Sequence, residues 1–151
     1  MTKRLTTEQR LLAPFIAELT RRAEPYSTGR KRDNQISLGG QVFFQRSDLW
    51  VPRARIAVEV ESAGGVTNLG KFWYLLEQGM IESPLTVLHV FSQVSDNDWE
   101  AHFRIWDVLA REMRRAFGDK FVAHRFGCRL GALRATAAPA LAAFSTALDR
   151  A

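Results

Sequence analysis

The sequence predicts a single α/β domain in which a mixed sheet is flanked by helices. Three observations lead there. The chain has 151 residues, close to the usual size of one domain. Hydrophobic residues make up 46% and charged residues 25%, which supplies a core and excludes a disordered, collagenous or disulfide-stapled chain. Helical and strand periodicities then follow in the order α-β-β-β-α-β-α-β-α, with no internal repeat and no dividing linker.

Thr6-x-x-Gln9 has the form of a capping box that opens a first helix. Leu11, Leu12, Phe15, Ile16 and Leu19 then recur at helical spacing, and Pro25 marks the end. Ser27 to Gln35, with Arg30-Lys31-Arg32 inside it, reads as an exposed basic loop. From Ile36 to Ile56 the pattern becomes strand-like, through Val42-Phe43-Phe44 and Leu49-Trp50-Val51, with a break at Pro52. Ile56 to Glu61 is the clearest strand, ended by Ser62-Ala63-Gly64-Gly65. Leu69, Phe72, Trp73, Leu76 and Met80 mark an amphipathic helix with Gly79 near its C-terminus. Pro84 introduces a strand from Leu85 to Phe91. Asp96-Asn97-Asp98 reads as the cap of a long helix with the stripe Trp99, Phe103, Trp106, Ala110, Met113 and Phe117. A last strand covers about Lys120 to Phe126, and residues 127–151 form an Ala-rich extension with a helix after Pro139. Its stripe of Leu141, Phe144 and Leu148 suits either packing or a dimer surface.

The net charge of +5 is unevenly spread: residues 1–32 carry +5, residues 33–100 carry −5, and residues 101–151 carry +5. An acidic centre between basic flanks suits a phosphodiester enzyme, with carboxylates for a divalent cation and Lys and Arg for the nucleic-acid backbone. Arg is 17 of the 21 basic residues, and its planar fork matches phosphate. A soluble Arg-rich protein without a nucleic-acid partner has the same composition. The polar opening MTKRLTTEQR has no apolar h-region, and no apolar run approaches the ~20 residues of a membrane span. Cys128 is the one cysteine, so no disulfide forms within the chain. A cytoplasmic protein without a membrane partner is expected.

The chemistry centres on Ile56 to Glu61. Side chains alternate along a strand, so Ile56, Val58 and Val60 face one way while Ala57, Glu59 and Glu61 face the other. The two glutamates then stand roughly 6–7 Å apart. On a solvent face they are merely hydrated; on a buried face they call for a cation. Asp48 bears on this choice. If the turn around Val51-Pro52-Arg53-Ala54 has two or four loop residues, paired positions sum to 107. Asp48 then lies across from Glu59, on the same face and about 5 Å away. An odd loop would send Asp48 to the opposite face. Three converging carboxylates, Asp48, Glu59 and Glu61, would make a hard oxygen site for Mg²⁺ or Mn²⁺.

A helix, three strands with an acid on the second and E-x-E on the third, then a helix and a strand, resembles the PD-(D/E)xK nuclease superfamily over residues 5–126. The resemblance implies a restriction-endonuclease-like core and metal-dependent hydrolysis of phosphodiesters, DNA foremost. It places the metal-binding acids at Asp48 and Glu59. The family's Lys position falls on Glu61, and Ser47 stands where the motif has Pro. Glu61 would complete the metal shell or act as general base. Alternatively Lys71, on the following helix, supplies the missing ammonium, although it lies opposite that helix's apolar stripe, where a solvated Lys belongs. Glu18 matches an accessory metal-binding acid of some members, but Arg22 at i+4 equally makes it an ion pair. The Gly64-Gly65 loop would let the nucleic-acid backbone approach.

Arg30, Lys31 and Arg32, with Arg53 and Arg55, are candidate phosphate contacts. Arg104, Arg111 and Arg115 share a helix face that suits either phosphates or solvent. His89 reads as a hydrogen-bonded core residue, and His102 and His124 have no partners at zinc spacing. No P-loop, GxGxxG, GxSxG or HExxH occurs. The expected function is a Mg²⁺-dependent nuclease, with a catalytically inactive nuclease-fold module binding nucleic acid or a protein as the alternative. A homodimer or larger complex would supply the target recognition that 151 residues leave little room for.

Overall fold

In the computed structural model, which describes residues 3–62, 67–95 and 97–151, α1 (Thr7–Arg21) starts at the expected capping box. The Gln9 amide donates to Thr6 Oγ1 at 3.1 Å, and the Thr6 amide donates to the Gln9 side chain at 2.9 Å. Its buried face is Leu11, Leu12, Phe15 and Leu19.

The polar stretch after α1 is more than a loop. Ser27–Thr28 forms β1, which pairs antiparallel with β4 (Leu49–Val51). Asn34 is fully buried and donates to the carbonyls of Gly29 and Ser47, both at 2.7 Å, so side-chain hydrogen bonds replace the apolar contacts this stretch lacks. By contrast β2 (Gln35–Gly39) and β3 (Val42–Gln45) pair only with each other, as a separate hairpin. The expected strand at Val42-Phe43-Phe44 forms, as β3, but the strand beside β4 in the main sheet is Ser27–Thr28.

β4 turns through Pro52–Arg55 into β5 (Ile56–Glu61). The chain then crosses through α2 (Thr67–Glu77) to β6 (Leu85–Ser92), and through α3 (Glu100–Phe117) to β7 (Phe121–Cys128). Such crossovers are what parallel neighbours require. The result is a five-stranded mixed sheet in the order β1-β4-β5-β6-β7, antiparallel as far as β5 and parallel beyond it. Alternation along the strands divides the core. Leu49, Val51, Ile56, Val58, Leu88 and Val90 pack against α1 and α5 (Ala138–Arg150). Trp50, Ala57, Leu85, Val87, Phe91 and Phe121 pack against α2 and α3.

Two sequence expectations change here. Residues 127–151, which include the short α4 (Leu133–Thr136), are not an appendage. Phe144 is fully buried and meets Phe15 edge-on at 5.2 Å, and Leu148 is buried beside it. The α5 stripe is thus spent on the molecule's own core, not held out for a dimer. Asp98 does not cap α3, which follows Trp99 with no side-chain cap. It accepts instead from the Val94 and Ser95 amides at 2.6 and 3.0 Å, pinning the preceding turn. Asp96 and Gly64-Gly65 lie outside the described residues.

Candidate functional site

The β4–β5 turn has four residues, and the register is Leu49↔Val58, Trp50↔Ala57 and Val51↔Ile56, each pair summing to 107 as the even-loop expectation requires. Asp48 therefore falls at the end of β4 opposite Glu59. Its Oδ2 accepts from the Val60 amide at 2.8 Å and its Oδ1 from Gln45 Nε2 at 3.1 Å. Ser47 braces the approach, donating through Oγ to the Leu49 carbonyl at 2.7 Å. Glu59 stands on the α2/α3 side of the sheet and is only 2% exposed, so the hydrated reading of E-x-E does not apply to it.

The buried carboxylate has a cation. Lys71 Nζ lies 2.5 Å from Glu59 Oε1 and donates to the Gln45 carbonyl at 3.1 Å. The Lys71 side chain is 12% exposed, and its ammonium stands 4.6 Å from the Phe72 ring centre. The solvated position read from the helix stripe is corrected. Leu75 is fully buried alongside Leu69 and Phe72, while Trp73 is only half-buried, which turns the buried arc toward Lys71, about 40° from Leu75 on a 3.6-residue helix. The end of the β2–β3 hairpin then roofs that flank through Gln45. Burial pushes the Glu59 carboxyl up to about 8; Lys71 opposes this and Asp48, within hydrogen-bonding reach, adds to it. Glu8 on α1, which sequence reading passed over, also reaches Asp48, and its carboxyl is raised by burial and by the Asp48 charge. The only sequence signal for Glu8 was its place in the first turn of the helix, where Glu is common for other reasons.

Glu61 does not join this group. It accepts from Asn68 Nδ2 at 2.6 Å and lies 3.3 Å from His89 Nε2. Trp106 Nε1, which only donates, lies 3.0 Å from His89 Nδ1. Nδ1 is therefore the acceptor, and Nε2 carries the proton toward Glu61. His89 is fully buried within this Asn68–Glu61–His89–Trp106 chain, the hydrogen-bonded core residue that its apolar neighbours implied.

Other expected site residues lie elsewhere. Glu18 is held by Arg21 at 2.7 Å and Arg22 at 2.6 Å, which lower its carboxyl to about 2; the ion-pair reading applies, and Glu18 is not brought to Asp48 and Glu59. Arg53 forks onto Glu24 at 2.8 and 2.9 Å, and Arg55 donates to the Pro84 carbonyl at 3.2 Å. Both sit in the turn, at the far end of β4–β5 from the carboxylates. Arg104 pairs with Glu100, while Arg111 and Arg115 pair with Glu112, so this face of α3 is a solvated one. Arg30, Lys31 and Arg32 are exposed, carry no ion pair among the described residues, and start one residue after Gly29. Gly29 and Asp48 line one cavity of about 580 Å³ with Glu8 and Leu12, and the Gly29 amide donates to the Asp48 carbonyl at 3.3 Å, so this basic turn starts beside Asp48.

Among the described residues, no group of three or more His, Cys, Asp or Glu side chains is arranged to hold a metal ion, so Asp48, Glu59 and Glu61 do not converge as expected. Two adjacent carboxylates, Asp48 and Glu59, still match what Mg²⁺ takes from a protein, one or two carboxylates with water and substrate phosphate filling the rest. No helix among the described residues is long and apolar enough to cross a membrane. Comparison with family models, curated proteins and solved structures yields no match.

Proposed function

We propose that this protein is a metal-dependent nuclease of restriction-endonuclease-like fold that hydrolyses phosphodiester bonds, with DNA the first substrate to try. One observation carries the reading: Lys71 reaches from α2 to Glu59 at 2.5 Å, beside Asp48, so that an acid–acid–ammonium set is assembled at one end of β4–β5 despite the E-x-E sequence. The order of elements from α1 to β6 supports the same fold.

Asp48 and Glu59 would hold Mg²⁺, whose chemistry when bound is to polarise a phosphoryl oxygen and acidify a water. The chain's own residues do the rest. Lys71 supplies a localised positive charge beside the carboxylates, suited to orienting a water or a non-bridging phosphate oxygen. The Val60 amide and Gln45 fix the orientation of Asp48. The Asn68–Glu61–His89–Trp106 chain keeps Glu61 away from the pair and holds the end of β5 rigid. Arg30, Lys31 and Arg32, which follow Gly29, offer phosphate contacts beside Asp48.

The test is cleavage of plasmid and of synthetic DNA duplexes, with and without Mg²⁺ or Mn²⁺. Wild type should cut only with metal, and Asp48→Ala, Glu59→Ala and Lys71→Met should each lower the rate by at least ~100-fold while remaining folded. Cutting that persists in Asp48→Ala, or that needs no metal, would overturn the reading. The missing three-ligand group favours a second one, an inactive nuclease-fold module. It predicts nucleic-acid or protein binding, without cleavage, that survives Lys71→Met.

A further inference from the structure

The β2–β3 hairpin stands apart from the main sheet, and its two faces differ in kind. Ile36 and Phe44 point inward: Ile36 is buried with Trp50, and Phe44 meets Tyr74 of α2 at 6.1 Å. The other face carries Phe43 and Gln45, with Ser37 and Gln35 as their cross-strand partners. Gln45 touches Asp48 through its side chain and Lys71 through its carbonyl. Phe43 lies two residues back on the same face, roughly 6–7 Å from Gln45 along the strand. It is 48% exposed, beside Val42 at 61%.

One exposed aromatic is ordinary; this one has a built setting. Phe43 lines a cavity of about 290 Å³ together with Arg32, Gln35, Ser37 and Gln41. A flat apolar ring, a guanidinium with no ion pair among the described residues, and amide and hydroxyl groups thus share one concavity, on the hairpin face that also carries Gln45. A protein partner would need an apolar patch broader than Val42 and Phe43. A nucleotide needs what is present: a ring for its base, a cation for its phosphate and hydrogen-bonding groups between them.

We propose, resting on the nucleic-acid reading above, that the outer face of the β2–β3 hairpin is a subsite for one unpaired nucleotide, its base stacked on Phe43 and its phosphate held by Arg32. The substrate is then nucleic acid with a single-stranded segment beside the scissile bond, because in a blunt duplex no base face is free to meet Phe43.

The test measures binding by fluorescence anisotropy of a labelled ten-nucleotide oligo-dT and of a labelled blunt duplex, with EDTA present so that nothing is cut. Wild type should prefer the single strand. Phe43→Ala should weaken oligo-dT binding about 10-fold while Phe43→Trp retains it, with the duplex unchanged. Arg32→Ala should weaken oligo-dT binding and reduce the salt slope by about 0.7, the value for one phosphate contact on a single strand. Phe43 is exposed, so the Ala variant should keep the wild-type circular dichroism. An unchanged affinity in Phe43→Ala, or no preference for the single strand, overturns the subsite. So does a change of oligomeric state in Phe43→Ala without loss of oligo-dT binding, which would make the hairpin a contact between copies. Metal-dependent cutting with Phe43→Ala behaving as wild type removes the subsite alone. Oligo-dT binding that requires Phe43, without any cutting, removes the nuclease reading alone.

Discussion

Glu59 is the residue on which most of the chemistry turns. A carboxylate 2% exposed, with a second carboxylate across the turn, is held in place by one ammonium. Its carboxyl is raised from the ordinary 4.5 to about 8, burial outweighing Lys71. The sign follows. Between those values the folded chain keeps a proton that the unfolded chain has released, so folding stability in metal-free buffer falls as pH rises through the window and levels off above it. Urea denaturation of wild type and Glu59→Gln at several pH values from about 5 to 9 should show that slope in wild type and lose it in the variant. Equal slopes in the two proteins would show that Glu59 is not the titrating group. The pairing of Asp48 with Glu59 was legible in the chain, because strand alternation and loop parity are local rules. The pairing of Lys71 with Glu59 was not, because Leu75 and the covering hairpin settle which flank of α2 is buried.

At the scale of elements, the β4–β5 turn decides whether Asp48 and Glu59 share a face. Inserting one glycine between Arg53 and Ala54 should shift the register by one and send Asp48 across the sheet, whereas inserting two should restore it. Metal-dependent cleavage is expected to disappear in the first variant and return, at least in part, in the second; loss in both would mean that this turn does not set the site geometry. The hairpin β2–β3 and the basic turn before it show the opposite side of sequence reading. Their strand signals at Val42-Phe43-Phe44 were clear, but pairing partners lie far along the chain, and Ser27–Thr28 is too short to signal a strand. Buried Asn34, a side chain that composition alone would place in solvent, is what ties this segment to β4.

For the whole molecule, α5 closes one layer of the sandwich. Phe144→Ala should cost about 3–5 kcal/mol, as a fully buried ring leaves a cavity against Phe15. Deletion of residues 138–151 should leave a chain without cooperative unfolding, since Leu11, Phe15, Val58 and Leu88 would lose their cover. Thermal melts followed by circular dichroism check both, and a cooperative melt in the truncated chain would show that residues 1–137 suffice. The uneven charge also acts at this scale. Of the basic residues expected to meet phosphate, Arg30, Lys31 and Arg32 carry no ion pair among the described residues, while those of the turn and of α3 are met by acids or carbonyls.

Periodicity, caps and loop parity are properties of neighbours along the chain, so the helices, the parallel strands and the face shared by Asp48 and Glu59 could be read from residue order alone. Which side chains meet across long separations could not. Lys71 against Glu59, Glu61 against His89, Glu8 against Asp48 and α5 against α1 depend on how the layers are turned onto the sheet. That turning is set by the summed burial of many apolar side chains, a quantity that no local pattern contains.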